Sequence, residues 1–322
     1  MDRVLVTGAT GLIGANVCKL LAERGAGVSA LVRPGSEVEP LAELGVRLVE
    51  GDIRNGDDVR RAAEGVQAIV NSAALLGGRD QDAQDSYDTN YTGSIHCYEV
   101  GRDLRVVELE TTTFFQHDTT LTERAPLLDE VNDDPYTTSK SAAYRDAVQR
   151  VADGQDIVFV IPGGTFGPSP VPGRALGSTS YNRTVRAALR GRIADFLSTP
   201  VPWVRAEDVA SVVVAALEAG KTGDTYLAFG KEDAQPTAVM LNLACEVAGV
   251  DHRVATVVAR PEDRDELEAR YGSTVTALAL RQWPVPWFDN RYTRETLGYD
   301  PVPLREALAE TVAWFRRIGQ IG

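Results

Sequence analysis

Apolar residues follow two alternating patterns along the chain. Arg3–Thr7, Gly27–Val32, Val46–Glu50, Ala68–Ser72, Arg105–Leu109 and Ile157–Ile161 are short, β-branched runs bounded by polar or glycine-containing turns, as buried parallel strands are. Between them the period changes. Leu12, Ile13, Val17, Leu20 and Leu21 recur at helical spacing, and helices are predicted over 57–63, 85–103 and 136–151. Strands alternating with helices over this length predict an α/β fold: a doubly wound parallel sheet that binds its ligand at the carboxyl ends of its strands.

The alternation stops after Pro162-Gly163-Gly164, where Pro168, Pro170 and Pro172 interrupt the chain. Beyond them, Glu207–Ala219 places Val209, Val212, Val213 and Ala216 on one helical face, and Thr225–Phe229 reads as a strand returning to the sheet. Two further amphipathic helices are predicted over 237–249 and 304–318. The expected division is a Rossmann-type nucleotide-binding domain over 1–165, rejoined by 203–230, and a smaller substrate-binding region from 166–202 and 231–322. Neither an internal repeat nor a low-complexity tract is present.

Composition narrows the function. The 322 residues are 43% hydrophobic and 25% charged, an ordinary globular balance, and the net charge of −13 argues against nonspecific nucleic-acid or anionic-membrane partners. Cys18, Cys97 and Cys245 lack metal-type spacing and stand in apolar contexts, so reduced, buried thiols are expected. His96, His117 and His252 are far apart, and a metal site is not expected. The first strand begins at Arg3 and no apolar run approaches the ~18 residues of a membrane span. A cytoplasmic protein with a small-molecule substrate is the expectation; a homodimer is left open.

The first candidate site is Gly8-x-x-Gly11-x-x-Gly14, between the first strand and the first helix. Glycine permits positive φ and close backbone approach to a pyrophosphate, and the following helix offers free N–H groups and its positive dipole end. Gly8, Thr10, Gly11, Leu12, Ile13 and Gly14 are therefore the expected cofactor contacts. Arg33 ends the second strand about 20 residues further on, where such sites meet the adenosine ribose. A guanidinium there would pair bidentately with a 2′-phosphate, which favours NADP over NAD, with Ser36 as a second phosphate contact. Asp52 and Ile53, after the third strand, stand where they could hold the adenine; a turn aspartate and a core isoleucine are the alternative.

The second is Tyr136-Thr137-Thr138-Ser139-Lys140, with Tyr136 and Lys140 four apart on one helical face. An adjacent ammonium favours phenolate and would lower the tyrosine pKa from about 10, fitting Tyr136 to exchange a proton with an alcohol or ketone oxygen. Lys140 could also bond the nicotinamide ribose. Thr111 or Thr112, at the preceding strand end, could polarise the carbonyl. Glu110 reads equally as an extra acid or base and as a sheet-face residue.

Thr7-Gly8-Ala9-Thr10-Gly11-Leu12-Ile13-Gly14, Gly51-Asp52-Ile53, Asn90-Tyr91-Thr92-Gly93, Pro135-Tyr136-Thr137-Thr138-Ser139-Lys140 and Gly167-Pro168 together resemble the extended short-chain dehydrogenase/reductases. Thr293-Arg294-Glu295-Thr296-Leu297-Gly298-Tyr299-Asp300-Pro301 and the last helix, with Trp314-Phe315, extend the resemblance nearly end to end. Within the family, which includes the NAD-dependent epimerases, Leu31-Val32-Arg33-Pro34-Gly35-Ser36 looks most like the dihydroflavonol-reductase-like branch, which reduces ketones or aldehydes with NADPH. The resemblance implies Thr111, Tyr136 and Lys140 as catalytic residues and places Ala73, Ala74, Pro162 and Thr165 near the cofactor. One stretch departs from it. Family members often carry Ser-Ser or Ser-Thr, small residues and Tyr-Gly where this chain has Glu110-Thr111-Thr112-Thr113-Phe114-Phe115-Gln116. The sugar-nucleotide dehydratases need an Asp-Glu pair where Thr112 and Thr113 stand, which argues against that reaction.

The aromatic residues Phe114, Phe115, Tyr181, Trp203, Trp283, Trp287 and Phe288 concentrate outside the nucleotide half and suggest a hydrophobic or aromatic substrate. The sequence thus points to an NADP-dependent oxidoreductase acting between a ketone or aldehyde and a secondary alcohol. The alternatives are a nucleotide-sugar 4-epimerase with retained NAD and a non-catalytic NADP-binding sensor or scaffold.

Overall fold

A computed structural model describes residues 2–76, 82–116, 120–131, 134–281 and 287–322, the side chains of Thr274 and Arg281 apart. His117 and Trp283 lie outside the described residues. The strands are β1 (Arg3–Thr7), β2 (Gly27–Val32), β3 (Arg47–Glu50), β4 (Ala68–Asn71), β5 (Arg105–Leu109), β6 (Ile157–Pro162), β7 (Gly164–Phe166), β8 (Asp195–Leu197), β9 (Pro200–Val201), β10 (Trp203–Arg205) and β11 (Thr225–Ala228). Seven of them form one parallel sheet in the order β11-β6-β5-β4-β1-β2-β3. Chain direction across the sheet reverses between β1 and β4, which pair from Val4 with Ala68 to Thr7 with Asn71. That reversal opens a crevice at the carboxyl ends of these two strands, where a doubly wound sheet binds its ligand.

Helices cover both faces: α1 (Leu12–Glu23), α2 (Glu39–Glu43), α3 (Gly56–Ala62), α4 (Ala83–Tyr87), α5 (Gly93–Val100), α6 (Pro135–Ala152), α7 (Pro172–Ala175), α8 (Tyr181–Leu189) and α9 (Ala206–Ala219). Alternate strand residues feed two cores. Val4, Val6, Val28, Val70 and Val107 join Val17, Val209 and Val213 on the α1 and α9 side; Leu5, Ile69, Val106, Ile157 and Phe159 join Val59, Cys97 and Tyr144 on the other. Because both faces are covered, the strands read as near-continuous apolar runs. All three cysteines are free and buried.

The single helix expected over 85–103 is instead α4, a wide turn at Asp88–Thr92 and α5. The physical reason is Asn90, which is fully buried in that turn. Its amide accepts from Leu75 N at 2.7 Å and donates to Leu75 O at 3.1 Å and Ser139 Oγ at 3.0 Å. A buried amide needs all these partners, and the widened turn aims it at them.

The smaller region packs α8, α10 (Thr237–Ala248) and a last helix, Leu304–Arg317, around Phe166, Trp203, Met240, Leu308 and Phe315. The helices Arg264–Tyr271 and Arg291–Leu297 went unpredicted because each is short and largely polar, with little apolar period to read.

Candidate active site

The glycine turn is built by close contact. Gly8 has φ of +64°, and a Cβ on it would lie 2.6 Å from the Ser72 carbonyl at the end of β4. A Cβ on Gly14 would overlap the Gly8 carbonyl oxygen. Gly11 caps α1, and among the described residues no side chain bonds that cap and no acidic residue enters the first turn. The N–H groups of the helix start therefore face the crevice with their dipole uncompensated, a cradle that fits a pyrophosphate. Thr10, Leu12 and Ile13 are half-buried beside it.

Around the end of β2, Arg33, Ser36, Glu37, Asp52, Gly173 and Arg174 line an open cavity of about 450 Å³. Arg174 belongs to α7, in the smaller region, and Glu37 accepts a 2.9 Å hydrogen bond from Gly173 N, tying the two segments together. Burial first, and then the charge of Arg33, hold the Arg174 guanidinium below the usual arginine range. Asp52 pairs with Arg54 at 2.7 Å, and that hydrogen-bonded partner keeps its carboxyl below the usual aspartate range. Ile53 is 7% exposed and packs in the core against Gly93 rather than lining the cavity, the outcome its apolar side chain favours.

At the carboxyl end of β5, Tyr136 from the first turn of α6 meets Thr111. Pro135 starts this helix and Asp134 caps it, accepting from Thr137 N at 3.0 Å. The Thr111 hydroxyl, which donates to Thr113 Oγ1 at 3.4 Å, lies close enough to the Tyr136 phenol to favour its ionised form; Thr112 is the first residue of a short 3-10 turn. Burial raises the Tyr136 phenol above its ordinary value of 10.0, outweighing the opposing pull of Lys140 and of the nearby Thr111 hydroxyl. The lowered pKa expected from Lys140 is thus not found: desolvation of the phenolate wins.

Lys140 is occupied in a way the sequence did not show. Its ammonium, 2% exposed, donates to Leu109 O at 2.6 Å, lies 3.0 Å from Glu110 Oε2 and 3.4 Å from Glu108 Oε1. Two of its donors are used in hydrogen bonds to Leu109 O and Glu108 Oε1, and Glu110 adds an ion-pair contact, so the group expected to reach a ribose is held at the β5 end. Glu108 in turn accepts from Asn71 Nδ2 at 3.0 and 2.8 Å and from Ser94 Oγ at 3.2 Å. Burial pushes both carboxyls up, Glu110 to about 8, against the attraction of Lys140.

A model of the NAD dependent epimerase/dehydratase family matches residues 4–228. The chain belongs to that family. It is 27% identical to sterol demethylase protein B of Methylococcus capsulatus over 98% of this chain and 99% of that protein. It is 25% identical to a putative dihydroflavonol 4-reductase of Synechocystis over 99% of this chain and 96% of that one. In fold it is similar to the crystal structure of gox2253, with a TM-score of 0.85 at 24% identity over the full length of both chains.

Ala73 N donates to Thr7 Oγ1 at 3.3 Å beside the glycine turn, and Ala74 is exposed next to it. Pro162 ends β6, and Thr165, in β7, donates to Gly163 O at 3.0 Å. The aromatic set does not form one pocket wall. Phe114, Phe115 and Trp203 are core residues, Phe288 packs on Phe229, and Trp287 is 63% exposed. Tyr181 stacks edge-on against Trp203 with its phenol pushed up to about 12 by burial and by nearby Tyr136, which places it at the candidate site. Arg174, Glu108 and Asn71 are the residues that sequence reasoning missed.

Proposed function

We propose that the protein is an NADP-dependent oxidoreductase that interconverts a ketone or aldehyde and a secondary alcohol. The observation that carries this reading is the placement of Tyr136 beside Thr111 at the carboxyl end of the sheet, on an α6 whose Lys140 is anchored beside it. The glycine cradle would hold the pyrophosphate, and Arg33, Ser36 and Arg174 a 2′-phosphate. When bound, the nicotinamide supplies or accepts the hydride. Thr111 orients the substrate oxygen, and Tyr136, kept as a phenol by burial, donates the proton during reduction. The names of two relatives, sterol demethylase protein B and a putative dihydroflavonol 4-reductase, support an apolar carbonyl compound as substrate.

Tyr136→Phe should abolish turnover of aromatic and alicyclic ketones while retaining NADPH binding. Substantial residual turnover would overturn the role of Tyr136. Purification with NAD bound and turnover of nucleotide sugars without added nicotinamide would replace this reading with a 4-epimerase.

A further inference from the structure

The cluster beneath Tyr136 sets two carboxyl groups against one ammonium. Glu108 and Glu110 both stand on the β5 end, both are buried, and both face the Lys140 ammonium. Neither carboxyl oxygen of Glu110 has a hydrogen-bond partner among the described residues; Oε2 meets Lys140 as an ion pair at 3.0 Å. Asn71 and Ser94 bond Glu108, whereas Glu110 is buried with Lys140 as its one charge partner of opposite sign among the described residues. Its neighbour in sequence, Thr111, lies beside the Tyr136 phenol.

We propose that Glu110 is a positioning residue that holds the Lys140 ammonium on the β5 end and offsets its field at Tyr136, so that Tyr136 stays a proton donor into alkaline solution. The proposal rests on the oxidoreductase reading for its consequence in turnover, but the electrostatics stand without it. An isolated buried ammonium acts on a nearby phenol as a full charge; one paired at 3.0 Å acts as a dipole, whose field falls off faster. The groups facing Tyr136 are Lys140 from its own helix, Thr111 and Glu110 from the β5 end, Asp134 at the helix cap and Tyr181 from α8. Those facing Glu110 are Lys140, Glu108, Tyr98 of α5, and Tyr136 and Tyr144 of α6. Among the described residues Lys140 is the only cation in either set, and each carboxylate works against it. Glu110, pushed up to about 8, is ionised before Tyr136 loses its proton, so its charge is in place when the phenol titrates.

In the reduction, the carbonyl carbon receives the hydride, its oxygen receives the Tyr136 proton, and the reduced nicotinamide is left oxidised. Phenol is required in this direction and phenolate in the reverse. The equilibrium constant at a given pH belongs to the reactants, so Glu110 cannot favour one direction; it sets the pH at which Tyr136 changes role. Both pH profiles must therefore move together.

The test is Glu110→Gln, which keeps the shape and removes the charge, beside Glu110→Asp, which restores the charge. Ultraviolet difference titration of each against its own Tyr136→Phe derivative reads the Tyr136 ionisation without cofactor or substrate. In Glu110→Gln the transition should move down by about one unit, a tenfold rise in the phenolate to phenol ratio at a given pH. The falling limb of reduction and the rising limb of oxidation should follow it equally, and Glu110→Asp should lie near the wild type. Should Glu110→Gln fail to fold, judged by NADPH binding, Glu110→Ser is titrated in its place. An unmoved Tyr136 transition in the folded neutral variant overturns the proposal, whatever the turnover. A wild type that binds cofactor and reduces no carbonyl, yet whose Tyr136 transition moves as expected, would instead overturn the oxidoreductase reading and leave the role of Glu110 intact.

Discussion

Asn71 Nδ2 donates to both oxygens of Glu108, at 3.0 and 2.8 Å, while Asn71 Oδ1 accepts from Thr7 Oγ1 at 2.6 Å. Through this one amide, the last residue of β1 before the glycine turn is joined to the carboxylate that faces Lys140. All of these groups are buried, so the network is costly to leave incomplete. Asn71→Ala removes the amide that the buried Glu108 carboxylate and Ser94 Oγ share as donor. It should lower stability by about 3 kcal/mol, read from urea unfolding midpoints. Adding Glu108→Ala should cost less than the two single losses combined, since the second change removes the group that the first left unsatisfied. Strict additivity would show that the amide and the carboxyl do not act together.

The same cluster makes stability depend on pH. Glu110 is raised from its ordinary 4.5 to about 8 in the folded protein, and Glu108 is raised as well, in both cases chiefly by burial. The folded state therefore holds these protons more tightly than the unfolded chain does. The stability they contribute is fully present below about 4.5 and is lost as pH rises to about 8. Wild-type melting temperatures should fall across that window. In Glu110→Gln the fall should be shallower, with Glu108 responsible for what remains. An identical slope in both proteins would show that Glu110 titrates in the folded state as it does in the unfolded chain.

The sheet was legible because its strands are buried on both faces, so that Val4-Leu5-Val6 and Ile157-Val158-Phe159 carry their fate in local composition. The Tyr136 and Lys140 spacing was legible because one helix carries both. What joins Lys140 to Glu110 was not, since the partners are on different elements and no local period reports a buried ion pair. Glu110 alternates with Leu109 and, read alone, fits a sheet face as well as an active site. Arg174 escaped for a related reason: its link to Arg33 spans the two regions and leaves no pattern in either. The aromatic side chains misled in the opposite sense. Phe114 and Phe115 adjoin Thr111 in sequence, yet they turn into the core against Tyr144, where their area is best buried.

The turn itself gives a sharp contrast between two glycines. Gly8 and Gly249 both have positive φ, +64° and +71°, and alanine at either incurs backbone strain of about 1 kcal/mol. Only at Gly8 would the added carbon meet backbone, the Ser72 carbonyl at 2.6 Å; at Gly249 there is nothing within 4 Å. Gly249→Ala should therefore lose stability alone. Gly8→Ala should also push the β1 and β4 ends apart and weaken cofactor binding by tenfold or more, measured by NADPH titration. Equal cofactor affinity in both variants would show that the close approach to Ser72 is not what shapes the cradle.

Arg33 and Arg174 converge on one cavity from two parts of the chain, and their charges oppose each other there. Two cations facing an open cavity gain by accepting a dianion, and a 2′-phosphate would reach both. Because each guanidinium remains open to solvent, the contribution of each is modest. Arg174→Ala should weaken NADPH binding about tenfold, equivalent to about 1.4 kcal/mol, and leave NADH binding unchanged. Arg33→Ala should do the same, and the double variant should bind the two cofactors alike. Fluorescence titration with both cofactors measures each affinity directly. If Arg174→Ala weakened NADPH and NADH equally, the arginine would be holding α7 against the Glu37 segment rather than reading the phosphate, and the choice of cofactor would rest on Arg33 alone.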